Sequence, residues 1–329
     1  MTPQTLEEQL IKYLTDVHSI ERQALVQMKM APKIAGDEAL SRAFADHLTE
    51  TEEHERLVRL TLEHHDANPS AVKDAAGVLT GVGFGAFAAV QPDTPGKLLA
   101  HAVSYEHMEE AAYEILSLLA GRLDDQDALQ TARTIKAQEQ GMAQRLEGLY
   151  DQALEASLQA QDPSDVGELL TKYLADAHAI ERQAESLLRK APKLAGDGEL
   201  ARAYESHLSE TLEHSRKIEE RLEARDGSPS RLKDMAMRAG ALNWGAFFQA
   251  QPDTPAKLAA FAYAFEHLEI ASYELLRRVA ERAQDTQTVQ VATSILAEER
   301  AAAERIQSLF SPAFDASLRE QDVALGADR

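Results

Sequence analysis

The chain is 329 residues long, contains no cysteine and carries a formal net charge of −21. The missing cysteine excludes disulfides, thiolate metal ligands and a thiol nucleophile. The acidic balance excludes the phosphate backbone of nucleic acid as a partner, because that needs clustered Lys and Arg, and it draws cations instead.

From the N-terminus, residues 1–8 are polar and acidic, without the basic region and apolar run of a signal peptide, so a cytoplasmic protein is expected. Ala, Leu, Glu, Gln and Arg dominate the rest of the chain and runs of β-branched residues are absent, so nearly all of it is predicted helical. A first helix is predicted over residues 5–30, stopped by Ala31-Pro32 and Gly36. A second runs from Asp37, a suitable N-cap, to about residue 65. A connection comes next over residues 68–94, with short helices expected at 72–76 and 84–90. Its Gly77, Gly81, Gly83 and Gly85 resemble no phosphate loop, for want of a lysine and a preceding strand. Its apolar run, 78–90, falls short of the roughly 20 residues that span a membrane, so no membrane partner is expected. A third helix is predicted from Pro95, a favoured first-turn residue, to about Gly121, and a fourth over 127–158.

The same pattern then begins again. Shifted by 160 positions, Tyr13 falls on Tyr173, Glu21 on Glu181, Glu50 on Glu210, Glu106 on Glu266 and Glu139 on Glu299. The string Gln-Pro-Asp-Thr-Pro at 91–95 returns at 251–255. A constant offset over that length means a duplicated domain of ordinary size, with the copies placed at 1–162 and 163–329. Two helical hairpins with short turns, joined by one long connection, make each copy a four-helix bundle with a crossover in an all-α chain.

Every predicted helix carries a carboxylate on its apolar stripe. Helix 1 reads Leu10, Leu14, Val17, Glu21, Ala24, Met28, and helix 4 reads Ala132, Ile135, Glu139, Met142, Leu146. Helix 2 reads Leu40, Phe44, His47, then Glu50 or Thr51, His54, Leu57, and helix 3 reads Leu98, Ala102, Glu106, Glu109, Tyr113, Leu116. The second copy repeats these acids as Glu181, Glu210, Glu266, Glu269 and Glu299. At about 1.5 Å per residue, Glu21 and Glu50 both lie roughly 15–20 Å from the turn between their helices, and Glu106 and Glu139 share a level in the same way. Four carboxylates therefore meet at mid-bundle if the hairpins pack in register. Several ionised carboxylates in a low dielectric are very costly unless they are paired or bound to metal. No Lys or Arg stands on the stripes at those levels. A pair of divalent cations resolves the charge, and oxygen donors with some imidazole suit iron or manganese. His47, His54 and His107, repeated as His207, His214 and His267, are read as hydrogen-bonding neighbours of the ligands more readily than as ligands. Tyr113 and Tyr273 are read as core aromatics within reach of a carboxylate.

His-Leu-Thr-Glu-Thr at 47–51, His-Leu-Ser-Glu-Thr at 207–211, Glu-His-Leu-Glu-Ile-Ala-Ser-Tyr at 266–273 and the segment 16–23 around Glu21 resemble the YciF/YciE-like branch of the ferritin-like superfamily. The resemblance covers both copies apart from the connections at about 68–94 and 228–254. It implies ferritin-like bundles with one dinuclear iron or manganese site each. Glu21 and Glu106, with Glu181 and Glu266, would be terminal ligands, while Glu50 and Glu139, with Glu210 and Glu299, would bridge. The chain departs from the usual pattern at three places. Glu53 and Glu213 hold the histidine place of helix 2, Met142 and Ala302 hold that of helix 4, and Glu109 and Glu269 are added on helix 3. The implied function is stress defence by a di-metal oxidoreductase, ferroxidase-like or peroxidase/catalase-like, with oxygen or peroxide as partner. A homo-oligomer is compatible with this, whereas a ferritin-style cage is not expected of a fusion that already pairs two bundles. The alternative is a non-catalytic helical stress protein, an assembly or binding module whose carboxylates share protons and hydrogen bonds with His47, His54 and Tyr113.

Overall fold

The computed structural model describes residues 5–71, 73–74, 94–159, 166–196, 198–227 and 253–323. Among the described residues there are eleven helices: α1 (Leu6–Ile34), α2 (Glu38–His64), α3 (Thr94–Leu123), α4 (Gln126–Glu147) and α5 (Tyr150–Gln159), then α6 (Val166–Leu188), α7 (Ala191–Leu194), α8 (Gly198–Glu223), α9 (Thr254–Arg282), α10 (Thr286–Ser308) and α11 (Phe310–Glu320). The expected helix at 84–90 and the Gly-rich stretch lie outside these residues; that at 72–76 is described only at Lys73 and Asp74, both helical. None of the described helices is long and apolar enough to cross a membrane.

The chain divides into two compact units, Met1–Gln161 with Gln321–Arg329, and Asp162–Glu320. In the first, α1 packs on α2 and α3 on α4, while α1 also meets α3 and α2 meets α4, which closes a four-helix bundle. In the second, α6 with α8 and α9 with α10 repeat the arrangement, and α6 meets α9 as α8 meets α10. Helix starts follow their caps. Asp37 Oδ1 accepts from the backbone N–H of Ala39 and Leu40 at 2.7 and 3.0 Å, Asp125 Oδ1 from Ala128 at 2.9 Å and Asp285 Oδ1 from Thr288 at 3.0 Å.

Two helix boundaries differ from expectation. Ala31-Pro32 does not end α1, which continues to Ile34 with the proline inside its last turn. The matching Ala191-Pro192 does begin a separate element, α7. The predicted fourth helix is two helices. α4 ends at Glu147, with the Gly148 N–H closing on Gln144 O at 3.1 Å, and α5 turns to pack on α3. That turn places Ser157 Oγ 3.0 Å from the Gly96 N–H, an otherwise orphan donor in the first turn of α3, and Ser317 does the same for Ala256 at 2.8 Å.

The same corner explains one glycine in each unit. Gly36 has φ +70°, and a Cβ there would lie 2.8 Å from Pro95 Cγ; Gly196 has φ +63°, with Pro255 Cγ at 2.7 Å. Gly36→Ala is expected to destabilise the protein by about 1–3 kcal/mol, since it adds left-handed strain to a clash with a rigid ring. Thermal unfolding of Gly36→Ala and Gly196→Ala checks this; unchanged melting of both would refute the account of the corner.

Candidate metal centre

The inward face of each helix is apolar except at mid-length. On α1, Leu14 and Val17 precede Glu21, and Ala24 and Met28 follow it, all buried. On α2 the buried line is Phe44, His47, Thr51, His54, Val58. α3 contributes Glu106, Glu109 and Tyr113, and α4 contributes Glu139 between Ile135 and Met142, all at most 1% exposed.

These side chains form two groups whose ligand atoms lie within 4.8 Å of one another: Glu21, His54 and Glu139, and His47, Glu106, Glu109 and Glu139. Glu139 belongs to both. The second unit has Glu181, His214 and Glu299 beside His207, Glu266, Glu269 and Glu299, with Glu299 shared. His54 Nδ1 lies 2.8 Å from Glu139 Oε1 and 3.7 Å from Glu21 Oε2, and His47 Nε2 lies 3.2 Å from Glu106 Oε2 and 3.4 Å from Glu139 Oε2. In the second unit His214 Nδ1 is 2.9 Å from Glu299 Oε1, and His207 Nε2 is 2.9 Å from Glu266 Oε2.

Each histidine turns its other nitrogen outward to an acceptor. His47 Nδ1 meets Glu50 Oε2 at 2.9 Å and His54 Nε2 meets Gln138 Oε1 at 3.0 Å; His207 meets Glu210 at 3.1 Å and His214 meets Glu298 at 2.9 Å. An acceptor behind the ring fixes which nitrogen faces inward, the arrangement usual for metal-bound histidine. Tyr113 Oη donates to Glu21 Oε1 at 2.5 Å, and Tyr273 to Glu181 at 2.5 Å.

The structure thus brings Glu21, Glu106, Glu109 and Glu139 together, with their second-unit counterparts, and sets other candidates apart. Glu50 and Glu210 stand about a third exposed, behind His47 and His207 rather than beside the cluster. Glu53 and Glu213 point to solvent and pair with Arg56 and Arg216 on their own helices. The reason is rotation: the α2 face that buries His47 and His54 turns Glu53 outward. His107 hydrogen-bonds Glu110 at 2.9 Å, away from the cluster, and the His267 ring packs edge-on against Tyr263 at 4.6 Å. His47, His54, His207 and His214, expected beside the ligands, stand within the groups themselves. Their spacing of seven residues on one helix, repeated in both copies, is the sequence signal for this.

The electrostatics are those of an acid-rich core. Burial, with Glu139 nearby, pushes Glu21 up to about 7 against the pull of His54. Burial likewise raises Glu139 and Glu299 to about 7. Glu109 and Glu269 are held well above the usual carboxylate range by burial and then by the neighbouring carboxylates. Burial alone would lower His47, but Glu106 overrides it and raises the ring to about 11. A buried polar atom without a partner is rare and asks for an explanation. Here Glu109 Oε1 and both oxygens of Glu269 receive no hydrogen bond, whereas Glu106, Glu139 and Glu299 each have an imidazole nitrogen of the cluster within hydrogen-bond reach. Unsatisfied carboxylate oxygens converging with imidazole nitrogens fit a hard or borderline divalent cation.

Residues 5–159 and again 165–319 match the model of a family described as a domain of unknown function, DUF892. The chain belongs to that family and carries its domain twice in tandem, in the register of the internal repeat.

Proposed function

We propose that each unit is a ferritin-like bundle holding a dinuclear iron or manganese centre, and that the protein acts in oxidative stress defence by Fe(II) oxidation or by consuming oxygen or peroxide. The observation that carries the reading is the pair of groups joined at Glu139, and again at Glu299, with Glu109 Oε1 and both oxygens of Glu269 buried and without a protein donor. Glu21, His54 and Glu139 would hold one ion, His47, Glu106, Glu109 and Glu139 the other, and Glu139 would serve both. Iron or manganese bound there would supply one-electron redox chemistry. The chain's own part is to keep the donors in place and dry. Tyr113 fixes one oxygen of Glu21, Glu50 and Gln138 orient the two rings, and the apolar residues along each helix exclude water. The four buried acids offer enough negative charge to balance two cations.

A metal-free reading has one observation of its own. His47 and His54 lie close enough to Glu106 and Glu139 to neutralise them as imidazolium ions. It leaves Glu109 and Glu269 unexplained, since no Lys, Arg or His pairs with either among the described residues.

Elemental analysis of metal-stripped protein reloaded with Fe(II) or Mn(II) tests the proposal. Two ions in each of two units give about four per chain at full loading, and the Fe(II)-loaded protein is expected to consume oxygen or peroxide. No retained metal would end the metal reading; retained metal without such consumption would end the redox part alone.

A further inference from the structure

We propose that Glu298 makes the ion position formed by Glu181, His214 and Glu299 tighter than its counterpart formed by Glu21, His54 and Glu139, so that the second unit loads first; this rests on the metal reading of the two units. The two positions have the same donors, a carboxylate from α1 or α6, a histidine from α2 or α8 and a carboxylate from α4 or α10. They differ behind the histidine. His54 Nε2 meets the neutral amide of Gln138, whereas His214 Nε2 meets the carboxylate of Glu298 at 2.9 Å. A charged acceptor makes the stronger bond to a ring N–H. It draws the proton outward, increases electron density on the inward Nδ1, and so makes that nitrogen a better donor to a cation.

Glu298 is held for this role. Its Oε1 accepts from Ser294 Oγ at 3.1 Å and lies 3.5 Å from Lys217 Nζ, while Oε2 stays on His214. Leu57 and Thr134 occupy the places of Lys217 and Ser294 in the first copy. Lys217 offsets part of the added charge, but it sits on the other oxygen. Two other differences near the cluster do not act through a ligating nitrogen. Tyr105, replaced by Phe265, donates to Ile20 O at 3.0 Å, and the Met142 sulfur, absent from Ala302, lies 3.9 Å from Arg145. Glu298 is therefore a positioning residue acting through His214.

The test is a titration of the full, metal-stripped chain with Mn(II), with free Mn(II) followed by its EPR signal. The parent is expected to show two classes of site separated by about 10–100-fold, the usual effect of a partner behind a ligand. Glu298→Gln should weaken the tighter class by that factor. Gln138→Glu, which places a carboxylate behind His54, should tighten the weaker class. A gain of affinity is an effect that structural damage does not produce, and both exchanges preserve shape at partly or fully exposed positions. A single class in the parent, or isotherms unmoved by both substitutions while Mn(II) still binds, would overturn this inference and leave the metal reading standing. No Mn(II) uptake by the parent would overturn both.

Discussion

Metal-stripped protein carrying Glu109→Leu and Glu269→Leu is expected to melt at a higher temperature than the metal-stripped parent, and to lose the gain that metal gives the parent. Burial first, and then Glu139, Glu21 and Glu106, make an ionised Glu109 unfavourable; burial with Glu299, Glu181 and Glu266 does the same to Glu269. Leucine has a similar volume and no polar atom to leave unpaired. Relief of a buried unsatisfied group is worth ~1–3 kcal/mol, or a few degrees for a unit of this size. Metal that binds only the folded state should stabilise the parent by about 4 kcal/mol at a thousandfold excess over its dissociation constant, and the variant should show little of this. Differential scanning calorimetry with chelator and with Mn(II) gives all four numbers. A metal-free variant that melts below the parent would show Glu109 to be a structural partner and would favour the bundle without metal.

The choice of Glu109 over Glu139 follows from the pairing. His54 Nδ1 lies 2.8 Å from Glu139, and His47 Nε2 lies 3.4 Å from it. Glu139→Leu would leave two buried rings short of a carboxylate, and breaking a buried pair destabilises by roughly 3–5 kcal/mol. Glu109 has no such counterpart, so its removal separates repulsion between acids from the loss of a pair.

The residues show why some of this is legible in the sequence and some is not. The offset of 160 places caps, glycines and acids in both copies, and four of the expected acids in each copy do converge. The face of α2 is ambiguous for a geometric reason. At about 100° per residue, Glu50 lies some 60° to one side of His47 and Thr51 some 40° to the other, so a stripe passing through either is plausible. His54, about 20° from His47 on the Glu50 side, does not decide between them; Phe44 and Val58, some 60° and 20° to the Thr51 side, are buried, and Thr51 fills the line with its hydroxyl on His47 O at 2.9 Å. Helix ends are harder to place because Asp66, Asp124, Asp226 and Gln284 take the left-handed conformation where glycine is the usual sign. The break between α4 and α5 is hidden because the apolar pattern continues across it and its second copy, at Leu309, contains no glycine. Local propensity cannot report that α5 turns to meet α3 and that Ser157 closes its first turn.

Glu139→Gln is expected to halve the metal content of the chain, the largest loss any single ligand substitution can cause. Glu139 is the one residue common to both groups of the first unit, so exchanging its charge weakens both positions at once, whereas Glu106→Gln touches one group only. The amide keeps a carbonyl oxygen for His54 and nearly the same volume, so the bundle should persist while the charge that holds a cation is lost. Glu299→Gln should do the same for the second unit, and the double variant should retain almost none. Glu53→Gln serves as the control: its carboxylate is exposed on Arg56, and its loss should leave the metal content unchanged. Elemental analysis after loading with Mn(II) and desalting reads these outcomes directly. Full retention by Glu139→Gln, or an equal loss in Glu53→Gln, would remove Glu139 from the centre of the site and with it the dinuclear arrangement.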